Sequence, residues 1–240
     1  MGILRDKTVI ITGASSGFGR ATAIRFAQEG ANLVLTARRE ERLKELSAEC
    51  EAIGAKAVCL AGDAREEETA KAVIKLAVDT FGQIDILDNN AGIGRTTSLV
   101  DTAMEEYDLV MDTNVRSAFA FTKYAVPHML ERGSGHIILT SSITGIKGHA
   151  YETAYTCSKF ALRGFGQALD KELLSKGIIT TVFCPHAGST EFEVGYGRTP
   201  EGDPNWLTAE DVAQALLTIC MQTPHCHIHE LDLASNYETF

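Results

Sequence analysis

Short apolar, β-branched runs alternate along this chain with longer stretches whose apolar residues recur at helical spacing. The strand-like runs fall at about 8 to 12, 32 to 36, 56 to 60, 84 to 88, 136 to 140, 178 to 183 and 226 to 232, and the first, Lys7-Thr-Val-Ile-Ile11, reads as a buried strand. After it, Ala21, Ile24, Phe26 and Ala27 supply one apolar helix side, and Gly30 predicts the cap that ends it. Repetition of this order implies right-handed βαβ crossovers and a doubly wound parallel sheet of about seven strands between two helical layers. One long stretch breaks the rhythm. From Pro185 to Trp206 the chain holds three of its five prolines, at 185, 200 and 204, with glycines at 188, 195, 197 and 202. It reads as a loop of about residues 186–206 over a ligand crevice, since it follows the carboxyl end of a strand.

Composition narrows this picture. A chain of 240 residues, 45% hydrophobic, predicts one large α/β domain over 1–240. Its formal charge of −10 argues against nucleic acid or an anionic membrane surface as a partner. Six cysteines, at 50, 59, 157, 184, 220 and 226, show no Cys-x-x-Cys pair and suit a reduced, cytoplasmic protein better than a disulfide framework. No run approaches the ~20 apolar residues of a membrane span, and no signal-peptide h-region precedes the first strand. Gly2 could suggest myristoylation, but Asp6 stands where that motif wants Ser or Thr.

Candidate chemistry begins where the first strand runs into Thr12-Gly13-Ala14-Ser15-Ser16-Gly17-Phe18-Gly19. A strand, a glycine-rich turn and a helix make a phosphate cradle: glycine admits a pyrophosphate close to the backbone, and the helix start offers free N–H groups and positive dipole. The glycines at 13, 17 and 19 do not match Gly-x-Gly-x-x-Gly letter for letter, so an ordinary strand-to-helix turn competes. A cofactor with a free ribose 2′-hydroxyl is usually held by an acid at the end of the second strand. Here Ala37 is followed by Arg38 and Arg39, whose forks suit a 2′-phosphate, so NADP(H) is favoured over NAD(H). The competing reading starts a solvated helix with both arginines paired to Glu40 or Glu41.

Tyr155 and Lys159 stand four residues apart, and Ser142 precedes the tyrosine by thirteen. The four-residue spacing puts the phenol and the ammonium on one helix face. A phenol titrates near ~10, and bringing it to the neutral range takes about 4 kcal/mol of preferential phenolate stabilisation. A close ammonium together with a cationic cofactor predicts that outcome. Taken alone, Tyr-x-x-x-Lys also decorates many solvated helices.

Jointly these residues resemble the short-chain dehydrogenase/reductase family, whose pattern is Thr-Gly-x-x-x-Gly-x-Gly, then Asn-Asn-Ala-Gly, then a Ser, Tyr, Lys set. Asn89-Asn90-Ala91-Gly92 ends the run Ile84-Asp85-Ile86-Leu87, Asn114 lies 28 residues before Ser142, and the resemblance spans roughly residues 7 to 232. It implies a Rossmann-type fold and a homo-oligomer, dimer or tetramer, acting on a small-molecule carbonyl or alcohol.

The resemblance also implies the roles. Ser142 would hold the substrate oxygen, Tyr155 would pass the proton, and Lys159 would tune Tyr155 and hold the nicotinamide ribose, with Asn114 anchoring a water that links Lys159 to solvent. Gly13, Ser15, Ser16, Gly17, Phe18 and Gly19 would cradle the pyrophosphate, with Arg38 and Arg39 on the 2′-phosphate. Asp63 would take the adenine amino group beside the Ala64 backbone, a helix N-cap being its competitor. Asn90, Ala91 and Gly92 would pass close to the ribose, and Pro185, the Gly188 backbone and Thr190 would order the carboxamide. For Ser142 a strand-end hydroxyl, and for Asn114 a helix-interior residue bonding its own backbone, remain the plain alternatives.

Two departures stand out. Asp88 replaces an apolar residue before Asn89-Asn90 and needs hydrogen-bond partners if buried. His186 follows Pro185 where the family commonly has glycine, and it either lines the substrate pocket or packs beneath the loop. His149 is a second pocket candidate, with Phe192, Tyr196 and Trp206 as apolar walls. His225-Cys226-His227-Ile228-His229 has the alternation of a metal face on a strand. With no distant carboxylate to complete it, no metal is expected, and hydrogen bonding across a subunit interface is the preferred use. The activity implied is hydride transfer between NADP(H) and a small or medium secondary alcohol or ketone. The alternative is a non-catalytic NADP(H)-binding redox sensor on the same fold.

Overall fold

A computed structural model describes residues 2–197, 199, 203–223 and 225–236. Pro200 and Gly202 of the predicted substrate loop lie outside the described residues. Seven strands form one parallel sheet in the order β3-β2-β1-β4-β5-β6-β7: β1 Thr8–Thr12, β2 Asn32–Ala37, β3 Lys56–Ala61, β4 Ile86–Asn89, β5 Gly135–Thr140, β6 Ile178–Pro185 and β7 Glu230–Leu233. This is the doubly wound Rossmann-type sheet that the alternation predicts.

Among the described residues seven α-helices cover its two faces: α1 Gly17–Gln28, α2 Glu40–Ala52, α3 Glu67–Phe81, α4 Met104–Met111, α5 Ser117–Arg132, α6 Thr153–Leu173 and α7 Ala209–Cys220. One core packs Phe26 of α1, Leu43 and Leu46 of α2 and Leu216 of α7 against Val9, Ile11, Leu33 and Phe183. The other packs Val73 of α3, Phe121 of α5 and Leu162 of α6 against Ile10, Val34, Leu87 and Leu139. Neighbouring strand residues thus feed opposite cores, which is why these strands read as unbroken apolar runs. Among the described residues no helix is long and apolar enough to cross a membrane.

The winding reverses at β1, which pairs with β2 on one side and β4 on the other. Crossovers diverge there, leaving a crevice beyond the carboxyl ends of β1 and β4. Gly30 follows α1 with φ of 83°, the left-handed value its capping role requires.

Two boundaries differ from expectation. The last strand begins at Glu230 rather than 226, because residues 225–229 approach the sheet without joining it as a strand until then. The stretch after β6 is not featureless: Glu191–Tyr196 forms a 3-10 turn, and Gly188 bridges Leu207.

Candidate active site

The glycine-rich turn leaves β1 through Gly13, whose φ of 70° and whose closeness to the Ala91 Cα, 2.9 Å from where a Cβ would lie, admit only glycine. Gly19 is equally tight, a Cβ there meeting Asn90 Nδ2 at 2.6 Å and the Gly13 carbonyl at 2.7 Å. Two further contacts tie the turn to the Asn89–Gly92 segment. The Thr12 hydroxyl accepts from Ala91 N–H at 3.0 Å, and Asn90 Nδ2 donates to the Thr12 carbonyl at 3.0 Å. Helix α1 starts at Gly17 with no side-chain cap, since the Ser15 and Ser16 hydroxyls accept from Arg39 instead. Uncapped N–H groups behind a backbone stripped of Cβ atoms suit an anionic phosphate.

Beyond this cradle the cleft carries positive charge. Arg38 is exposed at the rim without a hydrogen bond among the described residues. Arg39 and Arg42 both grip Glu191, each at 2.7 Å, which holds that carboxyl below its usual range. Among the described residues neither Arg38 nor Arg39 pairs with Glu40 or Glu41, which hold Lys44. Asp63 accepts from the Arg65 guanidinium and backbone N–H, and these bonds hold its carboxyl low. The N-cap of α3 is Glu66, so the capping alternative for Asp63 does not hold. Ala64, like Asp63, lines the cleft.

At the other end, α6 delivers Tyr155 and Lys159 to the floor, both buried. Ser141 fastens this helix to the end of β5, its hydroxyl donating to the Lys159 carbonyl at 2.9 Å. Gly145 makes that approach feasible, since a Cβ there would lie 2.2 Å from the Ser141 hydroxyl. The Lys159 ammonium donates to the Thr140 carbonyl at 2.8 Å and lies 5.4 Å from the Tyr155 ring centre. Burial brings its pKa down to about 8. The phenol of Tyr155 is pushed up, first by burial. The nearby Ser142 and Thr144 hydroxyls pull the other way, while the charges of Glu152 and Glu193 add to the rise.

The sequence expectation joins a close ammonium to a cationic cofactor; the protein's own groups by themselves hold the phenol above its ordinary range. In this arrangement Tyr155 is a protonated acid at neutral pH.

Asn114 sits in a π-helical turn, Asp112–Arg116, between α4 and α5, where the widened turn re-aims one side chain. Its amide accepts from Ile93 N–H at 2.8 Å and donates to the Ile93 carbonyl and the Ser158 hydroxyl, each at 2.9 Å. The helix-interior alternative, an asparagine bonding its own turn, is therefore not what is seen. A Cβ on Gly92 would lie 3.3 Å from Asn114 Oδ1 and 3.5 Å from Lys159 Nζ. Cradle, arginines, Ser142, Tyr155 and Lys159 all line one cleft of about 1080 Å³, ample for a dinucleotide with a small substrate.

The model of the short chain dehydrogenase family matches residues 7–200. The chain belongs to that family. Curated relatives include an uncharacterized oxidoreductase of Staphylococcus aureus, 33% identical over 231 residues that cover 96% of this chain and 98% of that protein. One from Staphylococcus epidermidis is 30% identical over 97% of this chain and 99% of its own length. Among solved structures, an alcohol dehydrogenase from the archaeon Thermococcus sibiricus, complexed with 5-hydroxy-NADP, superposes with a TM-score of 0.90 at 25% identity, covering 97% of this chain and 98% of that one. A 3-ketoacyl-(acyl-carrier-protein) reductase from Brucella melitensis, complexed with NADH, gives 0.89 at 29% identity over 97% and 98%.

Within this oxidoreductase the 3-10 turn walls the Tyr155 end of the cleft. The ring centres of Phe192 and Tyr196 stand 5.9 and 6.1 Å from that of Tyr155. Tyr196 rests on Gly94, where a Cβ would fall 2.3 Å from the ring. Thr190 caps the turn by accepting from Phe192 N–H and lies against Gly17. Pro185 and Trp206 also border the cleft, Phe18 meets the Gly188 backbone, and His149 stands exposed at the rim. His186 lines the cleft, and its Nε2 meets Asp232 of β7 at 2.9 Å.

Thr140, Thr144, Ser158 and Glu191 belong to the site without having been singled out in the sequence. Only tertiary folding brings them in, and no spacing rule marks them. Asp88 has no hydrogen-bond partner for either carboxylate oxygen among the described residues, and burial lifts its pKa to about 7. No partner of the kind a buried carboxylate needs is seen among the described residues, and burial favours the protonated acid instead.

Proposed function

We propose that this oxidoreductase transfers a hydride between NADP(H) and a small or medium secondary alcohol or its ketone. The observation that carries this reading is one cleft with uncapped helix N–H groups and arginines at one end and the buried Ser142, Tyr155 and Lys159 at the other. When bound, NADP(H) supplies or accepts the hydride at its nicotinamide ring.

The chain's own residues do the rest. Gly13 to Gly19 hold the pyrophosphate, and Arg38 and Arg39 hold the 2′-phosphate, for which Arg39 exchanges part of its grip on Glu191. Asp63 and the Ala64 backbone meet the adenine. Asn90, Ala91 and Gly92 border the ribose, and Pro185, Gly188 and Thr190 border the nicotinamide. Ser142 donates to the substrate oxygen, while Tyr155 gives that oxygen its proton in the ketone direction and recovers it in the alcohol direction. Lys159, cationic below about pH 8, holds the ribose and stabilises the phenolate after transfer. Asn114 pins the Gly92–Ile93 backbone against α6 and so positions Lys159. Phe192, His149 and His186 border the substrate.

We also propose a cytoplasmic homo-oligomer, dimer or tetramer. Six free cysteines and the exposed Phe119 of α5 and Phe160 of α6 support it, and light scattering in solution tests it.

The deciding experiment follows NADPH absorbance against a panel of ketones and aldehydes. Tyr155→Phe is expected to remove turnover while NADPH affinity, read by fluorescence titration, stays within a few fold. Turnover that survives this change overturns the mechanism. Wild-type protein that binds NADPH and turns over no carbonyl favours the redox-sensing alternative.

A further inference from the structure

Far from the cleft, ligand-type atoms of three residues converge. His227 Nε2 lies 3.0 Å from Asp170 Oδ1 and 3.0 Å from His229 Nδ1, and His229 Nδ1 lies 3.1 Å from Asp170 Oδ2. Asp170 comes from the last turns of α6, 57 residues before His227. It is the distant carboxylate that the sequence does not disclose.

The approach to β7 holds the two imidazoles in place. The Ile228 carbonyl accepts from the Thr181 hydroxyl at 2.7 Å, its N–H donates to Gln222, and the His229 carbonyl accepts from Val182 N–H at 2.9 Å. Residues two apart on extended chain point the same way, so pinning 228 and 229 along β6 turns both rings toward α6.

Hydrogen bonding alone serves this triangle poorly. A ring nitrogen has one in-plane position, so His227 Nε2 cannot direct a single proton or lone pair at both Asp170 and His229. A cation at the centre satisfies all three lone pairs at once. Bonds of about 2.0 to 2.2 Å to nitrogen and oxygen put neighbouring tetrahedral ligand atoms about 3.3 Å apart, close to the separations seen. Two neutral imidazoles and one carboxylate form a set suited to zinc-class divalent ions rather than to magnesium or calcium.

We propose that Asp170, His227 and His229 bind one zinc-class divalent cation. The fourth position belongs to water, because the His229 side chain is 65% exposed and opens the site to solvent. Asp170 lies fifteen helical positions after Tyr155, about 22 Å at 1.5 Å per residue. The ion therefore staples α6 to the start of β7 and takes no part in hydride transfer.

Chelator-treated full-length protein titrated with Co²⁺ and Zn²⁺ tests this. The wild type is expected to take up one Co²⁺ per chain, with a tetrahedral visible spectrum and no thiolate charge-transfer band, and Zn²⁺ is expected to displace it and raise Tm. Asp170→Asn and His229→Ala each weaken Zn²⁺ binding by about 100-fold or more. Cys226→Ser and His225→Ala leave it unchanged. Circular dichroism confirms folding, and the exposure of His229 keeps its variant informative if Asp170→Asn misfolds. Absence of saturable uptake, uptake indifferent to His229→Ala, or uptake lost in Cys226→Ser overturns the proposal.

Discussion

The two ends of the cleft are built from different electrostatics. Where the arginines stand, Arg39, Arg42 and Glu191 are each more than two-fifths exposed, and their ion pairs are screened by water and salt. Where Tyr155 and Lys159 stand, both groups are buried and burial is the first cause of their shifted titration. Exposed ion pairs can thus be loosened by salt, whereas at the buried end desolvation itself sets how Tyr155 and Lys159 titrate. Affinity and cofactor choice should respond gently to change at the first end, and chemistry sharply at the second.

The largest expected effect probes the buried end: Tyr155→Phe should lower kcat for ketone reduction by about 10³-fold, the usual share of a positioned acid. A loss below tenfold in a steady-state assay would erase the contrast. Asp88 tests burial without catalysis. Its carboxyl is held up to about 7, above the ordinary ~3.9. Between those values the folded chain keeps a proton that the unfolded chain has released, so stability falls as pH rises. Asp88→Val should therefore raise thermal stability, and by on the order of 2 kcal/mol more at pH 8 than at pH 5. Equal melting shifts at both pH values would contradict the assignment.

Smaller effects belong to the exposed end and to pH. Arg38→Asp should lower the preference for NADPH over NADH by about 10- to 100-fold, with a salt dependence visible in isothermal titration. An unchanged ratio would move the phosphate site elsewhere. Ketone reduction should hold steady near pH 7 and decline above about 8, where Lys159 loses its charge. Stopped-flow rates that stay level to pH 9.5 would separate that lysine from the reaction. The mildest change is Glu191→Gln, which frees Arg39 and Arg42 from a competing carboxylate and should lower the KM for NADPH a few fold, an effect that added salt diminishes.

The sheet was legible because its strands are buried on both faces and their apolar runs are hard to mistake, and the cradle because glycine at 13 and 19 answers to a steric need. Spacing placed Tyr155 and Lys159 on one face. It could not show that burial raises the phenol, since burial depends on Phe192 and Tyr196 arriving from a turn almost forty residues later. The π-helical turn at Asn114 left no mark in periodicity, and β7 was placed too early because the His/Cys segment alternates like a strand. Asp170 looked like any solvated helix acid until the fold brought it to His227.

Tyr196 stands on Gly94, a residue with no side chain to push back. The scaffold behind this aromatic wall is therefore the easiest place to retune how large a guest fits: a single methyl added at 94 would act as a wedge under Tyr196, altering which molecules the cleft admits without changing Tyr155 itself.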